Sequence, residues 1–152
     1  MRVLVQRVAR AAVQVGGQRV ADIGPGLLLY VAFRRDDQPP ALAWMAEKVA
    51  NLRIFEDAAG RLNRSIREAG GEVLAVSQFT LYGDARKGRR PGFDASAPAA
   101  QARPLFEKFV DNLAGQGLLV KSGRFQSVMQ VESVNDGPVT LLLESPGASP
   151  GQ

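Results

Sequence analysis

The first third of the chain alternates between apolar and polar residues, the pattern of strands with one buried face. β-branched residues recur from Val3 to Val15, and Gly16-Gly17 then marks a hairpin turn. A short strand is expected at 18–23, and an uninterrupted apolar strand follows at 27–33. The amino-terminal part of the protein is therefore predicted to be sheet.

Two later segments place apolar residues at helical spacing. The first predicts an amphipathic helix over 41–52. The second carries its apolar face over 105–113, with Ser96 as its predicted N-cap and Gly115 or Gly117 at its end. These segments predict two main helices.

The rest of the pattern indicates further strands and one long loop. Strands are predicted at 72–79, 118–121, 129–134 and 139–145, and residues 83–97 are typical of an exposed loop. Strands near the two ends of the chain could pair with each other.

These elements predict an α+β fold with largely antiparallel β-sheets in a barrel-like arrangement and two main helices. Neither an internal repeat nor a second domain is indicated, so one domain is expected over residues 1–145. The tail at 146–152 is rich in Pro, Gly and Ser and is predicted to be disordered.

Composition removes several classes of chemistry. The chain of 152 residues contains neither cysteine nor histidine, which excludes disulfides, thiolate nucleophiles, histidine-ligated metals and Ser-His-Asp schemes. An enzyme of this composition must use carboxylates, Lys, Tyr, backbone groups or groups of the substrate. The longest apolar run, 27–33, is far shorter than the roughly 18 residues needed to span a bilayer, so a cytoplasmic protein is expected.

A basic cluster stands out within a modest positive charge. Lys and Arg total 19 against 15 Asp and Glu, a formal net charge of +4. Four of the cations lie within five residues on a predicted loop: Arg86, Lys87, Arg89 and Arg90. Such clusters bind phosphate and nucleic acid, and Gly88 would let backbone amides approach the ligand. The alternative is a solvated loop with excess charge.

Polar residues follow the predicted strand that ends near Phe79. Ser77 or Thr80 could act as a nucleophile or hydrogen-bond donor, and Gln78 could orient a carbonyl group. The alternative is simple capping of a strand end, because a hydroxyl group without a base is a weak nucleophile.

The segment 135–138, Asn-Asp-Gly-Pro, has the composition of a β-turn between two strands. From the residues alone a hairpin connection is favoured over a special role for Pro138. Only about 5–6% of X–Pro bonds are cis.

Together these signals resemble the D-aminoacyl-tRNA deacylase (D-tyrosyl-tRNA deacylase) family. The likeness covers about residues 1–145. It is carried by Met1–Val8 (MRVLVQRV), Asn51–Asp57 (NLRIFED), Ser77–Tyr82 (SQFTLY), Arg86–Pro91 (RKGRRP) and Met129–Thr140.

The resemblance implies a homodimeric cytosolic esterase without a cofactor or metal, acting on D-aminoacyl-tRNA and on mischarged glycyl-tRNA. It places Gly137 and Pro138 in a Gly-cisPro unit that enters the pocket of the partner subunit and rejects L-amino acids. The pocket itself would be formed by the catalytic segment Ser77, Gln78, Phe79 and Thr80 and by the substrate-binding residues Phe125 and Met129, with RNA bound by the basic cluster.

The mechanism within this resemblance has two versions. Either the Thr80 hydroxyl attacks the ester, or the 2′-OH of the terminal ribose activates it while backbone N–H groups of Phe79 or Thr80 stabilise the oxyanion. The chain departs from the family at Gln126-Ser127, where Gly-Ala is usual, and at Ala32–Arg35. Those departures keep open a non-catalytic tRNA-binding or regulatory dimer, and more weakly a structural dimer that binds a small molecule.

Overall fold

The computed structural model describes residues 1–147; positions 148–152 of the predicted tail lie outside the described residues. The strands are β1 (Arg2–Val15), β2 (Gln18–Ile23), β3 (Gly26–Ala32), β4 (Phe55–Glu56), β5 (Leu62–Arg64), β6 (Glu72–Ser77), β7 (Leu119–Ser122) and β8 (Gln130–Glu144). The helices are α1 (Pro39–Asn51), α2 (Ile66–Ala69) and α3 (Ala99–Gly115), with a 3₁₀ helix at Phe79–Tyr82.

Six of the strands form one sheet that curves into a nearly closed barrel. Their order is β2-β1-β3-β6-β7, and β8 pairs with β1. β1 pairs with β3 through Arg2–Val8 and with β2 through Ala11–Val15, while β8 follows it over most of its length. The expected pairing of strands from the two chain ends is therefore confirmed. All three pairs made by β1 are antiparallel, whereas β3–β6 and β6–β7 are parallel.

β3 is buried on both of its faces, which explains its uninterrupted apolar sequence. Leu27, Leu29 and Val31 pack in the main core with α1 and α3. Leu28 points the other way, into a second buried cluster formed only by strand residues. The barrel approaches closure where Lys121 Nζ of β7 donates to the carbonyl oxygen of Asp22 in β2 at 2.7 Å.

The predicted helices are present with adjusted ends. α1 begins at Pro39, because proline suits the first turn of a helix, where its missing N–H costs no bond. α3 ends at Gly115, as predicted, but its N-cap is Pro98. The prediction that Ser96 caps α3 is wrong: Ser96 is buried, and its Oγ donates to the carbonyl oxygen of Phe79 at 3.0 Å. None of the helices within residues 1–147 is long and apolar enough to cross a membrane.

α2 adds a third helix to the two that were predicted. Its single turn is too short to show helical periodicity. The sequence signal that marks it is a capping box, in which Ser65 Oγ accepts from the Glu68 N–H and Glu68 reaches back to the Ser65 N–H.

The prediction of a hairpin at 135–137 is wrong, because β8 runs continuously along β1. Val8 pairs with Asn135 and Gln6 with Thr140. Two steps along β1 thus face five steps along β8, and the three extra residues form a bulge. A hairpin would pair the two halves of β8 with each other, whereas both halves pair with β1.

Candidate active site

A cavity of about 570 Å³ opens where β6 ends, beside the first turns of α3. It brings together five of the residues that the sequence suggested for catalysis or substrate binding: Ser77, Gln78, Phe79, Phe125 and Met129. The other lining residues are Arg35, Phe93, Ser96, Ala97, Pro98, Ala99, Ala102, Gln126 and Ser127. Thr80, Gly137, Pro138 and the basic cluster are not part of this lining within the described chain.

The backbone turns at the end of β6 and leaves two N–H donors, one of them on the lining residue Phe79. The Gln78 N–H donates to the carbonyl oxygen of Val31 at 2.8 Å, after which the 3₁₀ helix begins. The first bond within that helix runs from the Leu81 N–H to the Gln78 carbonyl oxygen at 3.2 Å. The N–H groups of Phe79 and Thr80 therefore have no acceptor in the helix. They are available to an oxygen atom of a ligand.

Within residues 1–147, the Thr80 hydroxyl is hydrogen-bonded to no side chain that could act as a base. Thr80 is exposed, and its Oγ1 accepts a hydrogen bond from the side-chain amide of Gln78. An amide N–H donates and cannot remove a proton, and hydroxyl nucleophiles need a base to become reactive.

Aromatic rings form the walls of the cavity. Phe79 is 53% exposed and meets Phe93 edge to face, with ring centroids 5.2 Å apart. Phe125 packs on Phe106 of the core at 6.0 Å, and the bond from Ser96 fixes the backbone at Phe79. Such anchored rings suit the face of a nucleobase.

The cavity is electropositive and lacks an acid–base group. Arg35 is the one charged side chain in the lining, which contains no carboxylate, Lys or Tyr among the described residues. The amino-terminal turn of α3 reaches the cavity through Pro98, Ala99 and Ala102, and it carries neither an acidic residue nor a side-chain cap. A helix N-terminus bears a partial positive charge. The site is therefore suited to stabilising negative charge rather than to moving protons.

The bulge in β8 is held by a buried arginine that the sequence analysis did not single out. Arg7 is 6% exposed; its Nε donates to the Asp136 carbonyl oxygen at 3.1 Å and its Nη1 to the Ile54 carbonyl oxygen at 2.8 Å. The available signal was its position: it follows Val3 and Val5 at the two-residue period of β1 and so falls on a buried face.

Within this bulge the Gly137–Pro138 peptide bond is cis, and Gly137 has a φ of +125°. Asn135 closes the base of the bulge. Its Oδ1 accepts from the Val139 N–H at 3.2 Å, and its Nδ2 donates to Thr140 Oγ1 at 2.8 Å.

The basic cluster lies on a loop closed by two backbone bonds between Asp84 and Gly92, at 2.8 and 2.9 Å. Arg86 is paired with Asp84, Nη2 to Oδ2 at 2.8 Å, and this contact lowers the pKa of Asp84 to about 2. Lys87, Arg89 and Arg90 are exposed, with no carboxylate oxygen of residues 1–147 within 4.0 Å. The loop therefore presents three uncompensated cations.

The departure at Gln126-Ser127 adds polar side chains to the cavity. Gln126 has a φ of +56°, the only positive value for a non-glycine among the described residues. Its Oε1 accepts from Nη2 of Arg103 at 3.1 Å, and the Arg103 guanidinium lies 4.8 Å from the centre of the Phe125 ring.

Among residues 1–147, no group of three or more Asp or Glu side chains is placed to hold a metal ion.

Comparisons with known proteins identify the family. The family described as D-Tyr-tRNA(Tyr) deacylase matches residues 4–144. A D-aminoacyl-tRNA deacylase of Symbiobacterium thermophilum is 59% identical over 145 residues, 95% of this chain and 96% of the relative. The D-aminoacyl-tRNA deacylase of Chlorobaculum parvum is 56% identical over 147 residues, 96% of this chain and 99% of the relative.

Two solved structures share the fold. A structure named c-Myc DNA Unwinding Element Binding Protein superposes with a TM-score of 0.90 at 40% identity, covering 96% of this chain and 99% of that one. A probable eukaryotic D-amino acid tRNA deacylase superposes with a TM-score of 0.82 at 21% identity, covering 93% and 97%. The match over residues 4–144, together with relatives above 50% identity over nearly the whole chain, shows that this protein belongs to the D-Tyr-tRNA(Tyr) deacylase family.

Proposed function

We propose that this protein is a cytoplasmic D-aminoacyl-tRNA deacylase: it hydrolyses the ester that links a D-amino acid, or glycine, to the 3′ end of tRNA. The observation that carries the proposal is the cavity at the end of β6. It combines backbone donors, aromatic walls and positive potential with a lining that holds no base. The relatives named above are hydrolases of this substrate class by name.

The chemistry follows from what the cavity offers. Water attacks the ester carbonyl, whose oxygen becomes an oxyanion and accepts from the N–H groups of Phe79 and Thr80. In other enzymes, losing one such donor costs about 2.7–4 kcal/mol of transition-state stabilisation. When the oxyanion collapses, the bond between the carbonyl carbon and the ribose 3′-oxygen breaks. The proton of the attacking water passes through the neighbouring 2′-OH to that oxygen, and the free amino acid and tRNA leave. The neighbouring 2′-OH of the terminal ribose activates the ester, and the protein contributes position and a preorganised field.

Chirality is enforced from a second copy of the chain. Gly137 and Pro138 do not line the cavity of their own subunit, yet they sit on a bulge held rigidly by Arg7 and Asn135. In the proposed homodimer this bulge enters the partner's cavity and sets backbone atoms against the substrate Cα. An L side chain collides there, a D side chain points to open space, and glycine escapes selection.

The test is hydrolysis of D- and L-aminoacyl-tRNA with several side chains, and of glycyl-tRNA, in the presence of a chelator. Every D ester and the glycyl ester should be cleaved, the L esters should persist, and the chelator should change nothing. Sharp selectivity for one D-amino acid would contradict the backbone barrier. No hydrolysis of any D ester, with tRNA still bound, would favour the non-catalytic alternative.

That alternative is a tRNA-binding or regulatory dimer on the same scaffold. One observation favours it, the 40% identical relative whose name describes a DNA-binding protein. The same assay separates the two candidates, because a binder without hydrolysis leaves the ester intact.

Replacing Thr80 with alanine is expected to keep kcat/KM for D-aminoacyl-tRNA within about threefold of wild type, because a hydroxyl without a base contributes little as a nucleophile. Single-turnover rates of Thr80→Ala, with Thr80→Ser as the control, measure this. A loss of about 100-fold or more that Thr80→Ser restores would assign the attack to Thr80.

Substitutions in the basic loop should weaken tRNA binding unequally. The salt dependence of binding is the slope of log K against log salt concentration. Arg90→Gln is expected to lower the magnitude of this slope by about 1, because Arg90 has no acidic partner in the described chain and can bind phosphate. Arg86→Gln should change it less, because Asp84 already neutralises Arg86 at neutral pH. Titrations of tRNA at several salt concentrations measure both variants.

The companion variant is Asp84→Asn, which releases Arg86 and should tighten binding at low salt. Equal slopes for Arg90→Gln and Arg86→Gln would show that the pairing with Asp84 does not govern the loop's interaction with tRNA.

A further inference from the structure

Two arginines at the mouth of the cavity are anchored without being neutralised. Nε of Arg35 donates to the carbonyl oxygen of Asp94 at 3.1 Å, and Nη2 of Arg103 donates to the amide oxygen of Gln126 at 3.1 Å. Neither guanidinium has a carboxylate oxygen of residues 1–147 within 4.0 Å. Both therefore keep their full charge in a defined position.

Three of the other arginines that hydrogen bonds fix in this structure are paired with acids, whereas Arg53, Arg64 and Arg67 are held by neutral oxygens but do not line this cavity. Arg2 binds Glu144, Arg86 binds Asp84, and Arg7 lies 3.5 Å from Asp136 Oδ2. Such pairs serve the fold. A guanidinium carries five N–H donors. Arg35 and Arg103 each use one of them in a hydrogen bond to a neutral partner within the described chain. The remaining donors can bind an external anion.

Arg35 is a lining residue of the cavity, and Arg103 contacts two others, Phe125 and Gln126. Arg35 lines it directly, and its carbonyl oxygen accepts from Gln101 Nε2 at 2.7 Å, which ties it to the start of α3. Arg103 follows the lining residue Ala102 on α3 and lies over the ring of Phe125, another lining residue. Both cations are therefore tied to α3, Arg35 through Gln101 and Arg103 as a residue of the helix itself.

We propose that Arg35 and Arg103 clamp the phosphodiester that precedes the terminal nucleoside of the substrate. The proposal rests on the deacylase function proposed above and names the part of the substrate that this rim recognises. In an aminoacyl-tRNA this phosphate is the anion nearest to the ester, and arginine binds phosphate through paired N–H bonds. Holding it fixes how deeply the ester enters the cavity.

The clamp is tested with two small esters, of which only one contains a phosphodiester. One is 3′-O-D-tyrosyl-adenosine, which has none, and the other is the D-tyrosyl ester of the dinucleotide cytidylyl-(3′→5′)-adenosine. Arg35→Gln and Arg103→Gln should each raise KM for the dinucleotide ester about 10-fold with kcat unchanged. Both variants should lower hydrolysis of the adenosine ester much less, because that ester has no phosphate for the two arginines to bind.

Two further variants sharpen the result. Arg103→Lys, which keeps the charge, should recover part of the lost affinity. Arg19→Gln removes an exposed cation of β2 that does not line this cavity and should change neither substrate. Equal losses on both esters would mean that the arginines only shape the cavity, and no loss on either would remove them from substrate binding; each outcome overturns the clamp.

The clamp and the proposed function fail in different ways. If the wild-type protein cleaves neither ester, the proposed function is contradicted, and calorimetric binding of the unacylated dinucleotide then decides the clamp. Wild-type binding that exceeds binding of adenosine and falls in Arg103→Gln supports it. Equal affinity for dinucleotide and adenosine overturns it.

Discussion

Replacing Ser127 with tryptophan is expected to lower kcat/KM for D-aminoacyl-tRNA at least about 100-fold, because the indole would occupy the space that the ester needs to reach the backbone donors. Ser127 is half-buried and lines the cavity. The cavity measures about 570 Å³ and is also lined by Phe79, Phe125 and Met129, so a tryptophan ring placed inside it would fill space among these side chains.

The neighbouring residue provides a matched control. Val128 is 91% exposed and is not among the residues that line the cavity. Val128→Trp should therefore keep near wild-type activity. Steady-state kinetics and melting temperatures of both variants make the comparison. A folded Ser127→Trp with normal turnover would show that the ester is cleaved elsewhere.

The sequence predicts those site residues that lie next to one another along the chain. Ser77, Gln78 and Phe79 follow an apolar strand, and a strand end is a rigid place for polar groups, so the segment was recognisable from its own residues. Phe125 and Met129 lie on an irregular stretch without periodicity. Only the family resemblance pointed to them, because their closeness to β6 arises from tertiary packing.

The failures share one physical cause, which is long-range pairing. The composition of 135–138 is that of a turn, but the partner that decides its conformation is β1, more than a hundred residues earlier. Ser96 is a residue type that often caps helices, but its hydroxyl instead donates to the carbonyl oxygen of Phe79. Local preference was overruled in both places by contacts that no local pattern contains.

The left-handed conformation of Gln126 is another case in which a tertiary contact overrules local preference. A residue with a Cβ is disfavoured there, and its amide is held by Arg103 from α3. The Gln126 side chain both lines the cavity and accepts a hydrogen bond from the guanidinium of Arg103. The departure therefore modifies the rim without removing the backbone donors at Phe79 and Thr80.

The bulge in β8 carries the second large effect. Gly137→Ala is expected to lower kcat/KM for D-aminoacyl-tRNA about 100-fold and to reduce the ratio of D to L hydrolysis, because a displacement of about 1 Å in a positioning element can cost this much. Gly137 has a φ of +125°, and a Cβ there would lie 3.0 Å from Nη2 of Arg7 and 3.0 Å from the backbone nitrogen of Val139. The bulge would have to move away from Arg7.

Gly60→Ala is the matched control, because Gly60 also has a positive φ, of +73°, but a Cβ there would meet nothing within 4 Å. It carries a backbone cost of the same kind in a remote turn, of about 1–3 kcal/mol, and should leave both rates unchanged. Kinetics with paired D and L esters, together with melting temperatures, separate loss of fold from loss of position. A folded Gly137→Ala variant that kept the wild-type rate and the wild-type D-to-L ratio would show that the bulge does not discriminate between D and L esters. Chiral selection would then have to arise within the cavity of a single subunit.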